Sequence, residues 1–151
     1  MVNKNIKVGK PKSAYKDSIA LSALHEAGHI VIAKHFNCIV KSSEIDVGYG
    51  MSVIDPPRKS NLDDLSWAMI ACAGPVMERV NYINDGDFKI VTDSGFGKKD
   101  LYVLFLITEK LLCLYVSIVS NMVDKLMLKK KLNKRQIDTI PKKGLAGMER
   151  I

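Results

Sequence analysis

The stretch LHEAGHIVIAKHF, residues 24–36, decides how the rest of the chain is read. It lies in a run, residues 17–36, that contains no proline and one glycine, Gly28, and that opens on two capping residues, Asp17 and Ser18. Within it Ile19, Ala23, Ala27, Ile30 and Val31 recur at helical spacing, so one amphipathic helix is expected. On that helix His25 and His29 are four residues apart and share a face. Two imidazoles so placed can hold one zinc ion at ~2.0–2.1 Å. Glu26 adjoins His25 and tips to the same side, where it can take a proton from a metal-activated water without ligating the metal. Ala27 and Gly28 fill the gap between the histidines with small side chains and leave room for an ion.

The third histidine tests the helix assignment. His35 lies ten residues after His25, the spacing of the third ligand in HExxHxxGxxH proteins. That pattern needs a glycine to break the helix, and Ile32 stands at its position. An unbroken helix turns His35 ~240° away from His29. His35 is therefore expected to point away from the metal as an ordinary helix-end residue. The third ligand must come from downstream, and composition and spacing leave Glu44, Glu78, Asp93 and Asp100 open.

Outside this helix the pattern changes. Residues 38–54 carry the β-formers Ile39, Val40, Ile45, Val47, Val53 and Ile54, with Gly48 and Gly50 between them, and predict a hairpin or small sheet ended by Pro56 and Pro57. A second helix is expected over residues 62–83, capped by Asn61 and kinked or restarted at Gly74 and Pro75. Asn84, Asp85, Gly86 and Asp87 read as a turn, residues 88–91 as a short strand and residues 93–97 as a loop. One long helix follows over residues 98–131, and a last short helix over 132–140. The fold expected is mainly α with a small β-hairpin or sheet. Residues 1–14 read as a flexible basic arm, 15–140 as one domain and 141–151 as a flexible tail.

Composition bounds the function. At 151 residues and 47% hydrophobic content the chain can bury one core. The net charge of +7 comes largely from the two ends, which argues against a shaped nucleic-acid face. The basic segment 125–135 has no interleaved aromatic residue for base stacking and reads as a solvated helix end. Cys38, Cys72 and Cys113 are scattered, as in a reducing compartment, and the N-terminus has no apolar signal core, so a cytoplasmic location is expected. The apolar run 101–123 is interrupted by Glu109 and Lys110 and reads as a core helix rather than a membrane span.

HEAGH, followed by ACAGPVMERV at residues 71–80 and VTDSGFGKKDL at 91–101, resembles the peptidase domain of FtsH-type proteases, the M41 metallopeptidases. The resemblance covers roughly residues 18–135 and implies a zincin-like active-site helix in a helical bundle. It implies that Asp100 completes the zinc site with His25 and His29, that Glu26 is the catalytic base, and that Glu78 has a structural or second-sphere role. Asp100 near the start of a helix also suits a carboxylate ligand, because the helix dipole favours negative charge there. The implied activity is zinc-dependent endopeptidase action on unfolded protein or peptide. No ATPase domain or membrane anchor accompanies the motif, so a stand-alone relative is expected, with a separate ATPase or adaptor as candidate partner. The alternative is a non-catalytic relative serving as a binding or regulatory module.

Overall fold

The computed structural model describes residues 6–8, 18–58 and 61–140, a mainly helical α+β domain with one small antiparallel sheet. Helix α1 (Ile19–His35) runs through its centre. Ser18 caps its start by accepting the Leu21 N–H at 3.2 Å. Its last turn gives way to Asn37, whose left-handed φ of 62° reverses the chain. Ala23, Ala27, Ile30, Val31, Ile32 and Ala33 are all buried, so the helix is covered on nearly every side.

The sheet covers one side of α1. Its strands are β1 (Ile6–Val8), β2 (Ile39–Asp46), β3 (Tyr49–Asp55) and β4 (Lys131–Asn133), in the order β1-β3-β2-β4. β2 and β3 form the expected hairpin, turning at Val47 and Gly48, where Gly48 takes a φ of 66°. The other two strands depart from the expectation. β1 falls in the segment read as a flexible arm, yet Lys7 pairs with Val53 and Val8 with Ser52, and the Val8 side chain is in the core. β4 pairs with β2 and buries Leu132, leaving only α6 (Lys134–Asp138) of the helix expected over 132–140. The remainder of the arm and the tail expected over 141–151 lie outside the described residues.

Helix α2 (Asp64–Glu78) is capped by Asp63, not Asn61, through a 2.7 Å bond from the Ser66 N–H. It continues through Gly74 and Pro75 and stops at Arg79, which adopts a left-handed φ of 58°. Pro75 removes a hydrogen bond only in the last turn, where the helix is about to end. The expected strand over 88–91 is instead part of helix α3 (Asp85–Asp93). Phe88 and Ile90 look like strand alternation. Phe88, Ile90 and the fully buried Val91 nevertheless all pack with Ala68, Ala71, Cys72 and Leu104, which one helical face can do and an alternating strand cannot.

The long helix expected over 98–131 is broken. A 3-10 turn (Lys98–Asp100) leads into α4 (Leu101–Cys113), and α5 (Val116–Lys129) leaves at 89°. Tyr115 at the break is buried, and its hydroxyl meets His35 Nδ1 at 2.6 Å, a tertiary contact that no local periodicity announces. Among the described residues, no single helix is long and apolar enough to cross a membrane.

Candidate metal centre

Helices α1 and α2 run antiparallel in close contact. A side chain on Gly28 would collide with the Ala73 carbonyl, so the glycine lets the two backbones touch. This proximity places Ile70 of α2 beside His29 of α1, and Gly74 and Glu78 beside His25. His29 Nδ1 donates to the Ile70 carbonyl at 2.7 Å. His25 Nδ1 is bonded to Glu78 Oε1. Each ring thus has its Nδ1 engaged by an oxygen, which fixes its orientation and turns its Nε2 inward.

Both Nε2 atoms converge on one carboxylate oxygen. Asp87 Oδ2 lies 3.2 Å from His25 Nε2 and 3.3 Å from His29 Nε2. Asp87 reaches this position because Asn84 caps α3. The Asn84 side chain accepts the Asp87 N–H at 2.8 Å and donates to Asp87 Oδ2 at 3.0 Å. The carboxylate then sits in the first turn of α3, where the helix dipole favours it. His25, His29 and Asp87 are almost wholly removed from solvent.

The donors fit a metal ion. One ligand atom from each of His25, His29 and Asp87 lies within 4.8 Å of the other two, a spacing an ion can bridge. His29 Nε2 is buried and makes no hydrogen bond, although Asp87 Oδ2 lies 3.3 Å away. A buried polar atom left so is costly unless another group satisfies it. A Cβ on Gly74 would strike the face of the His25 ring, so the glycine makes room for that imidazole beside α2. Two imidazoles and a carboxylate form a donor set for a divalent cation with an open position.

The charges of the cluster act strongly on one another. Burial opposes charge on His25, but Asp87, Glu78 and Glu26 together raise its pKa to about 9. Burial also opposes charge on Asp87, and the two histidines outweigh it and hold the carboxyl well below the usual range. Glu26, fully buried on the same turn as His25, is pushed up chiefly by burial, against the histidines and a hydrogen bond from Ser52.

His25, Glu26 and His29 are brought together as their spacing predicts. Asp100 is not brought to them. Its carboxylate closes the turn before α4 by accepting the Gly97 N–H at 2.8 Å, and the carboxylate gathered with the histidines is Asp87. Glu78 is not in the ligand cluster and holds His25 from behind. Asp93 pairs with Lys89 at 2.8 Å on the surface, and Glu44 lies on β2 opposite Met51. His35 is at the far end of α1, its ring against Phe36 and Tyr115. Asp87 was hidden in residues read as a turn. The signal available was Asn84 three residues ahead of it, a helix cap that puts Asp87 in a first turn.

The chain matches no family model, and no curated protein matches it at a significant level.

Proposed function

We propose that the chain is a zinc-dependent metalloendopeptidase acting on unfolded protein or peptides. The observation that carries this reading is the buried convergence of His25 Nε2, His29 Nε2 and an Asp87 oxygen, with Glu26 one residue from a ligand. His25, His29 and Asp87 would hold the ion and leave a position open. A zinc ion held there would supply Lewis-acid chemistry, lowering the pKa of a water toward ~7 and polarising a substrate carbonyl. Glu26 accepts the proton of the attacking water at its carboxylate and returns it to the leaving nitrogen. Glu78 keeps His25 in one tautomer and orientation.

The sheet supports an extended substrate. Among the described residues β1 pairs with β3 at residues 52–54, and residues 49–51 continue the same edge. Gly50 lies there directly against the Glu26 carboxylate. A peptide adding to this edge by main-chain hydrogen bonds would pass beside the base.

Purified protein should contain one zinc per chain and cleave casein, with cleavage stopped by a chelator and restored by added zinc. Glu26→Gln should keep the zinc and lose at least about 100-fold in rate, since it removes the proton acceptor at constant size. A zinc-loaded wild type without hydrolysis would leave a metal-holding binding module instead.

A further inference from the structure

We infer that Ser52, with Ser43 behind it, forms a hydroxyl relay that positions the Glu26 carboxylate for proton transfer, an inference that rests on the peptidase reading. The inward row of β2 is Val40, Ser43 and Ile45, and that of β3 is Gly50, Ser52 and Ile54. Two serines thus stand in core positions beside the β-branched apolar residues Val40, Ile45 and Ile54. They face each other across the ladder, and both are fully buried. Burying two hydroxyls is costly unless they are hydrogen-bonded, so their partners matter.

Those partners form one directed chain. Ser52 Oγ donates to Glu26 Oε1 at 2.7 Å. A hydroxyl has one proton, so the 2.7 Å contact between Ser43 Oγ and Ser52 Oγ must have Ser43 as donor. The order is Ser43 to Ser52 to Glu26, and each bond polarises the next in a buried setting. Gly50, two residues before Ser52, completes the fit. A side chain at Gly50 would strike the Glu26 carboxylate, so β3 makes room for it at one position and grips it at the next inward one.

A glutamate has three rotatable side-chain bonds, and a base must hold its oxygen where the proton is. Ser52 fixes one carboxylate oxygen and with it the plane of the group. Neither serine is in the ligand cluster, so their effect on zinc should be small. They are positioning residues.

The test uses the zinc-loaded full chain and fluorescein-labelled casein. Ser52→Ala should lower kcat on the order of tenfold, the usual weight of a hydrogen bond to a charged group, with KM and zinc content within about twofold of wild type. Ser43→Ala should lower kcat about two- to threefold. The double variant should match Ser52→Ala alone, because Ser43 acts only through Ser52. Independently of activity, serine-labelled wild type should show two slowly exchanging hydroxyl protons by NMR, and Ser52→Ala should lose one and shift the other. An active wild type with an unchanged kcat in a folded, zinc-loaded Ser52→Ala overturns the relay and leaves the peptidase reading intact. Additive losses in the double variant, or hydroxyl protons in fast exchange, overturn it as well. A zinc-loaded wild type without any hydrolysis fails at the earlier step, the peptidase reading, and takes the relay's role with it.

Discussion

Asp87 and Asp100 are two aspartates at two helix starts, each bonded to a residue three positions earlier. Asp87 donates its N–H to the Asn84 side chain, and Asp100 accepts the Gly97 N–H. One joins the two histidines in a buried group that could hold a metal ion, and the other remains a turn residue. The difference lies in what their helices pack against. α3 returns directly from the end of α2, which is locked antiparallel to α1 by Gly28, so its first turn arrives at His25 and His29. The turn at Asp100 opens α4, whose main neighbour is α2 rather than the histidine helix α1. A favourable dipole and a carboxylate are common to both sites, so neither is enough to make a ligand.

The comparison breaks most clearly at the ligand itself. Asp87→Ala should weaken zinc binding by at least about 100-fold, measured by competition with a chromophoric chelator, while Asp100→Ala should change it less than about twofold. The opposite order would return the ligand role to Asp100 and imply a different packing of α3.

Glu78 sharpens the contrast between holding a metal and holding a ligand. Glu78→Gln should reduce zinc affinity roughly tenfold, within the range for outer-sphere partners of a ligating histidine. A loss as large as that of Asp87→Ala in the same titration would make Glu78 a ligand.

The Asp100 side has its own smaller effect. Asp100→Ala removes the bond that closes the turn before α4 and should cost about 1 kcal/mol, seen as a melting temperature lower by a few degrees at full zinc occupancy. No shift in melting would mean that this bond contributes nothing in solution.

His35→Ala should have the smallest effect on the site. It removes the hydrogen bond to Tyr115 and should leave zinc affinity within about twofold of wild type. A large drop in zinc affinity would show that α1 does not run unbroken through Ile32.

How far the sequence carries depends on the range of the interaction that decides each feature. The helix bearing His25, Glu26 and His29 was legible because periodicity, capping and the absence of breakers all act within a few residues. The same locality made the β2–β3 hairpin legible, and it set His35 on the wrong face for the metal. The carboxylate that joins the two histidines was not legible. The sequence offers several carboxylates after the second helix, and which one meets the histidines depends on where α2 ends and how α3 folds back. Arg79 decides the first by its left-handed backbone, and the Asn84 cap with the packing of Phe88 and Val91 decides the second.

β1, β4 and the right-angle break between α4 and α5 belong to the same class. Three residues at each end of the domain become strands only because the hairpin offers them free edges. The break at Tyr115 contains no glycine or proline and exists where a buried tyrosine meets His35 across the core. The sequence by itself therefore determined the two histidines, Glu26 beside them and the helix that carries them, since one turn of helix is enough to align them. Only the tertiary structure decided that Asp87 joins them, that Glu78 stands behind His25 and that Ser52 reaches Glu26, because each contact joins residues 26 to 62 positions apart in the chain and depends on how whole elements pack.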